Sequence, residues 1–201
     1  MNTIRPILLR AVNMLFIMTL LCGIIYPLLI TGISQLFFKD KANGSLIEVN
    51  GVKYGSELLG QQYGGDNYLW GRIMNINTDL FTDTEGNALM YAGPSNISPA
   101  GEKYQTLIEE RVDKIRQSDP DTTMDKIPVD LVTISGSGMD PHISVAAAEY
   151  QIKRIAQTRN MTEDKVRAII DQYTTGRFAG IFGERVVNVL KVNLALDGIL
   201  Q

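Results

Sequence analysis

The chain has 201 residues, with 19 Lys and Arg, 22 Asp and Glu, one His and one Cys, and a formal charge of −3. Only two bases, Arg5 and Arg10, precede Lys39; removing them from the 19 leaves 17 against 22 acids, a formal −5, for residues 39–201. A mildly acidic domain of that kind argues against nucleic-acid and anionic-lipid binding. A lone cysteine excludes an intrachain disulfide, so about 160 residues must fold on their core alone.

Residues Ala11 to Phe38 contain no Asp, Glu, Lys, Arg or His. As a helix the run would reach about 42 Å at roughly 1.5 Å per residue, against about 30 Å for a hydrocarbon core. A cleaved signal peptide has an apolar region of only about 7–15 residues, and Lys41-Ala42-Asn43-Gly44 is a poor cleavage site. The chain therefore divides into a short head (1–10), a membrane span (11–38) and a domain (39–201), joined by a short linker, Lys39 to Ser45. Arg5 and Arg10 before the span balance Lys39 and Lys41 after it. Long domains cross largely regardless of charge, so the expectation is N-terminus inside and domain outside. Thr19, Gly23, Pro27 and Thr31 fall every fourth residue, with Ser34 three later, a stripe of small side chains suited to packing against another helix in lipid. Pro27 removes the bond to the Gly23 carbonyl and is expected to bend the helix there.

Beyond the span, Ser45–Val49 and Val52–Tyr54 around Asn50-Gly51 predict a β-hairpin with a type I′ turn. Leu58 to Trp70, broken by Gly60, Gly64 and Gly65, reads as short strands and turns. Its Gln61, Gln62, Tyr63, Tyr68 and Trp70 form a polar-aromatic cluster, either a half-buried sheet or an interface. Asp79 to Ser98 is rich in Gly, Asn, Thr and Pro and reads as a loop. Ser98-Pro99 predicts a helix start, and Tyr104, Leu107, Ile108, Val112 and Ile115 carry the helix to about Gln117. Pro128 to Ile134 reads as a strand. Ser135 to Ser144 reads as a tight connector, with Gly136 and Gly138 in unusual backbone conformations and Asp140 bonding its own backbone. Ser144 predicts a helix cap, with Ala147, Tyr150, Gln151, Arg154 and Ile155 on one face of a helix to about Arg159. Thr162 predicts another cap, with Gly176 closing that helix. Val186 to Val192 reads as a strand and Asn193 to Leu200 as helical. Interleaved strands and helices predict an α/β or α+β domain.

Several chemistries lack their motifs. The sequence has no P-loop and no Asp-Lys-Thr-Gly-Thr phosphorylation site. One histidine, His142, is a poor basis for a transition-metal site. A single uncharged span cannot enclose an ion pathway. Ser135-Gly-Ser137-Gly-Met-Asp140-Pro-His142 crowds serine, aspartate and histidine together, but triads are assembled by folding and the G-x-S-x-G elbow is missing, so an independent hydrolase is the weaker reading. A glycine-rich loop before a helix can hold an anion, yet Asp140 would repel one.

The residues Ile127-Pro-Val-Asp130-Leu-Val-Thr-Ile-Ser135-Gly-Ser137-Gly-Met-Asp140-Pro-His142-Ile-Ser144 resemble the PVDLVTxSGSGLDPHIS segment of the C subunit of Kdp-type potassium-transporting ATPases. Ala146-Ala-Ala-Glu-Tyr150-Gln151, with Arg154 and Arg159, follows that family's AAxYQxxRxAxxR. Gly183-Glu184 and Val187-Asn188-Val-Leu-Lys-Val-Asn193-Leu-Ala-Leu-Asp197 are similar to its closing GExxVNVLxLNLALD. Gly55 to Gln61 and Gly93-Pro-Ser95-Asn96 are similar to its GSxLIGQ and GGSN segments. Two departures stand out: Ile73-Met74-Asn75 follows Trp70-Gly71-Arg72 where the family usually has Pro-Ser-Ala, and Pro94 interrupts GGSN.

The resemblance implies a non-catalytic subunit of a plasma-membrane complex. Its partners would be a channel-like, potassium-binding A subunit, an ATP-hydrolysing B subunit and a small F peptide, with the lipid bilayer around the span and no nucleic acid. The domain would sit outside the cell and serve assembly, stabilisation and gating of ion access. The rival family-level role is a catalytic chaperone that raises the B subunit's affinity for ATP, which fits poorly with an external domain. No cofactor is expected on this chain; ATP and potassium would act on the complex. The motif residues Gln61, Arg72, Ser95, Asn96, Asp130, Ser135, Ser137, Asp140, His142, Tyr150, Gln151, Arg154, Asn188 and Asn193 become candidates for partner contact, and Thr19, Gly23, Pro27 and Thr31 for helix packing.

Overall fold

In a computed structural model that describes residues 4–120 and 126–201, the apolar run lies within one helix, Ile4–Phe37, long and apolar enough to cross a membrane. The helix starts as α1 (Ile4–Leu20), passes through a π turn at Leu21–Ile25, and continues as α2 (Tyr26–Phe37). Pro27 explains the π turn. With no N–H at that position the ladder skips a partner, and Tyr26 N–H reaches back to the Leu21 carbonyl instead. The extra residue in that turn offsets the four-residue stripe, but Thr19 stays beside Gly23: a Cβ at Gly23 would stand 4.0 Å from Thr19 Cγ2. The expected short linker is partly helical, as α3 (Lys39–Ala42), with Asn43 hydrogen bonded to Gln35 and to the Lys39 carbonyl.

The chain falls into two compact units, Met1–Leu46 and Ile47–Gln201. From that boundary onward, β1 (Leu46–Val49) pairs with β2 (Val52–Ser56) as expected. Asn50 and Gly51 carry φ of 53° and 78°, the positive pair a type I′ turn requires. Leu58 to Trp70 holds no strand and runs as turns and irregular chain. The expected loop from Asp79 to Ser98 contains instead a second antiparallel hairpin, β3 (Ile76–Thr82) with β4 (Ala88–Ala92), irregular between Asn77 and Phe81. Its turn is tied by Asp83, whose carboxylate accepts the Glu85 and Asn87 N–H groups and the Asn87 side-chain amide. These bonds lower the Asp83 pKa. The polar composition thus marks the turn, not the whole segment.

Helix α4 (Glu102–Ser118) begins after Gly101, three residues beyond Ser98, whose carbonyl accepts the Gly101 N–H. Its apolar face carries Ile108, Val112 and Ile115 onto the core. Pro128–Ile134 is not a strand: Val129–Leu131 forms a 3-10 turn and only Ile134 makes a β-bridge, to Ile73. Among the described residues no strand pairs with Val129, which is exposed, whereas Leu131 and Val132 turn inward.

Strand β5 (His142–Ser144) leads into α5 (Val145–Tyr150), capped by Ser144, whose hydroxyl accepts the Ala147 N–H at 3.2 Å. The expected single helix to Arg159 is broken at Gln151 into α5 and α6 (Ile152–Arg159). Helix α7 (Glu163–Gln172) is capped by Thr162 as expected, but ends four residues before Gly176. The chain leaves it because Thr174–Thr175 is recruited as β6. Strand β7 (Val186–Asn188) is shorter than expected and runs directly into α8 (Val189–Leu196), which Asn188 caps by accepting the Lys191 N–H at 3.0 Å. β7 lies between β5 and β6, antiparallel to both. Ile143, Val187, Ile152, Ile155, Val166, Ile170 and Val192 form the centre of the core, and Leu69 and Trp70 plug it.

Candidate functional site

Two segments that are distant in sequence meet on the domain. Gly60 N–H donates to the Met139 carbonyl at 2.9 Å and Asn75 N–H donates to the Gly138 carbonyl at 3.0 Å, so Gly60–Asn75 flanks the Ser135–Ser144 turn. Gly138 has φ of 71°, and a Cβ there would stand 2.4 Å from the Gly93 carbonyl oxygen. That approach brings the start of Gly93–Asn96 against the same turn. Of the two expected glycine conformations only Gly138 is left-handed; Gly136 keeps an ordinary φ. Asn75, one of the departures from the resembled family, supports the junction by donating from Nδ2 to the Gly93 carbonyl.

Arg72 stands where these segments cross. Its Nη1 faces Asp140 Oδ2 at 3.5 Å, and its Nη2 donates to Thr133 Oγ1 and the Ile134 carbonyl. Asp140 accepts the His142 N–H at 2.9 Å, the expected local bond. Asp130 accepts the Ser144 N–H at 2.8 Å, so its carboxylate pins the 3-10 turn to the start of α5. The hydrolase arrangement is not built: the Ser135 and Ser137 hydroxyls pair with each other at 3.3 Å, and His142 Nδ1 stands 3.9 Å from Asp140. Arg72, Asp130, Asp140 and His142 line one shallow cavity of about 380 Å³. Gln61 and the other face of Arg72 line a groove of about 310 Å³ against α4.

The remaining motif residues work inside the fold. Asn193 is fully buried; its Oδ1 accepts the Leu69 N–H at 2.8 Å and its Nδ2 donates to the Leu69 carbonyl at 2.9 Å. Gln151 does the same for Trp70, at 2.8 and 3.0 Å, and also donates to the Ala147 carbonyl. Two side-chain amides thereby act as strand partners for two successive buried residues that have no strand beside them. Arg154 donates to the Asp66 and Tyr68 carbonyls and to Gln151 Oε1. It lies 4.2 Å over the Trp70 ring, and burial draws its pKa down to about 10, so it stays charged at neutral pH. Tyr150 is buried in the core. Asn188, besides capping α8, donates to the Glu57 carbonyl. Ser95 accepts the Ile97 N–H, and Asn96 takes a left-handed conformation at φ 52°.

Sequence reasoning missed Arg111 and Lys114 on α4. Both lie over the Trp70 ring, at 5.2 and 4.9 Å, and Arg111 donates to the Leu131 and Gly71 carbonyls. Their three-residue spacing on one helix face was the available signal. Tyr63, expected within the polar-aromatic cluster, is half-buried, and burial pushes its phenol up to about 12, with Asp197 and Tyr68 adding to the shift.

The chain has relatives along its whole length. The family described as the c chain of the K+-transporting ATPase matches residues 8–198. The chain belongs to the KdpC family. It is 61% identical over 192 residues to the potassium-transporting ATPase KdpC subunit of Clostridium perfringens, covering 96% of this chain and 97% of that one. It is 57% identical to the KdpC subunit of Clostridium botulinum over the full length of both, and 46% identical to that of Methylococcus capsulatus over 98% of both. A KdpC chain is thus a subunit of a potassium-transporting ATPase, and this one carries one candidate membrane helix ahead of a mixed helix-and-sheet domain.

Proposed function

We propose that this chain is a non-catalytic accessory subunit of the potassium pump. It is anchored by residues 11–38 with its N-terminus in the cytoplasm and residues 39–201 outside, and it holds the complex together. The partners under this reading are the channel-like A subunit, the ATP-hydrolysing B subunit and the small F peptide. The small residues of the span, Thr19 and Gly23 up to the π turn and Pro27 and Thr31 after it, pack against them in the bilayer. The outer domain presents the surface around Gln61, Arg72, Ser95, Asn96, Asp130, Asp140 and His142, from which it shapes ion access.

One observation carries the reading. The buried polar residues of the motifs, Gln151, Arg154, Asn188 and Asn193, bind backbone of their own domain and stiffen a scaffold. With the serine, aspartate and histidine of the turn not wired as a triad, Ser135 and Ser137 pairing with each other, that scaffold suits a surface for a protein partner better than a reaction centre.

The test is topology together with assembly. Protease added to protoplasts is expected to digest the domain, and protease added to inverted vesicles to leave it intact. Protection in protoplasts and digestion in inverted vesicles would place the domain beside cytoplasmic ATP and favour the chaperone role.

A further inference from the structure

Residues Arg177–Glu184 form a small protruding turn. Phe178 and Phe182 pair across it, Phe178 N–H donating to the Phe182 carbonyl at 2.8 Å and Phe182 N–H to the Phe178 carbonyl at 3.0 Å. Ala179 and Gly180, at φ of 51° and 75°, make the reversal. An ion pair between Arg177 and Glu184 at 2.7 Å closes the base. The turn buries none of its large apolar side chains. Phe178 is 79% exposed, Ile181 73% and Phe182 66%, as exposed as the side chains of the membrane helix itself. Among the residues of 47–201 whose exposure is described, no other five positions gather three such residues.

We propose that this turn is a second membrane contact, whose apolar tip enters the headgroup region of the bilayer that holds the span. Three observations favour lipid over a protein partner. The tip is a tight turn with its large side chains exposed and its smallest residues, Ala179 and Gly180, at the reversal, which enters a deformable medium without needing a matching pocket. Its composition, aromatic and aliphatic at the tip with Arg177 and Arg185 at the shoulders, is that of interfacial segments. The chain also brings its own bilayer: only Lys39–Ser45 separates the apolar run from β1, and four of those residues are helical. Seven residues reach at most roughly 25 Å, so the domain is confined near lipid and a weak contact is occupied through high effective concentration. The contact is apolar, so it needs no anionic lipid, in keeping with the acidic charge of residues 39–201. It is independent of which side of the membrane carries the domain and of the assembly role proposed above.

The experiment places a tryptophan at the tip, Ile181→Trp, in the full chain reconstituted into pure phosphatidylcholine vesicles, with Glu163→Trp on α7 as the control. Both positions are exposed, and the native Trp70 is buried and common to both. Phe178→Trp repeats the measurement should Ile181→Trp not fold. Phosphatidylcholine brominated on its acyl chains is expected to quench the tip at least about two-fold more than the control, since a tip at the boundary sits roughly 5–10 Å inside the headgroups. The difference should persist at high salt and after the other pump subunits are added. Equal quenching at the two positions overturns the proposal. Quenching at the tip that disappears when the other subunits are present also overturns it, assigning the turn to a protein partner.

Discussion

Replacing Gln151 with Met keeps the side-chain length and removes both polar ends. The structure then leaves the Trp70 N–H and the Trp70 carbonyl without partners, in a place where Trp70 is 2% exposed. An orphaned buried backbone group costs about 1–3 kcal/mol, so two cost about 2–6 kcal/mol. Arg154 also loses its bond to Oε1 but keeps the carbonyls of Asp66 and Tyr68. A domain of this size is stable by about 5–15 kcal/mol, so the variant is expected to fold but to unfold at clearly lower denaturant. Trp70 is the single tryptophan and sits at the perturbed point, so its emission reports the transition directly. The assay is urea unfolding of the full chain in detergent, comparing Gln151→Met with Gln117→Met on the exposed side of α4, which is expected to lie within about 0.5 kcal/mol of the parent. A loss below about 1 kcal/mol with an unchanged urea slope would mean that water satisfies Trp70, and would refute the view that the side-chain amides replace a missing strand.

Asn193→Leu is expected to cost a similar amount for the same reason at Leu69, and the double variant with Gln151→Met should fail to fold; retained Trp70 burial in the double variant would count against both. Gly138→Ala is expected to lose at least the 1–2 kcal/mol or so of a left-handed non-glycine residue, plus the clash of its Cβ with the Gly93 carbonyl, whereas Gly136→Ala should be nearly silent in thermal unfolding. The Tyr63 phenol is expected to ionise only near pH 12, visible as an ultraviolet titration step missing from Tyr63→Phe. Its folded pKa is raised, so the unfolded chain releases this proton first; the contribution is intact below pH 10 and is lost as the pH rises towards 12. Gly23→Leu is expected to reduce recovery of the pump complex while Leu21→Ala does not. Gly23 has room for a side chain within its own helix, so loss would come from a neighbouring helix, and equal recovery of both variants would make the helix a simple anchor.

The sequence was most informative where one local rule decides the outcome. An uncharged run of this length has few alternatives to a membrane helix, Asn50-Gly51 specifies its turn by φ alone, and Ser144 and Thr162 cap the helices that follow because their hydroxyls reach N–H groups only three residues away. It was least informative where an apolar run could serve either period. Val186–Val192 has no local preference strong enough to mark the switch from strand to helix, which depends on β5 and β6 lying beside Val186–Asn188 and on Asn188 being free to cap. Pro128–Ile134 has β-branched residues but no strand to pair with, and propensity without a partner gives a 3-10 turn. The motifs identified the family and its polar residues, but gave them as possible contacts without saying which face inward. That division was decided by the path of Asp66–Trp70, an irregular segment that runs from the surface into the core at Leu69 and Trp70. Its carbonyls and N–H groups had to be satisfied by Gln151, Arg154 and Asn193 from helices some 80 to 125 residues further along the chain. Bonds of that separation leave no periodic trace in the sequence, because they depend only on where the folded chain brings the two ends together.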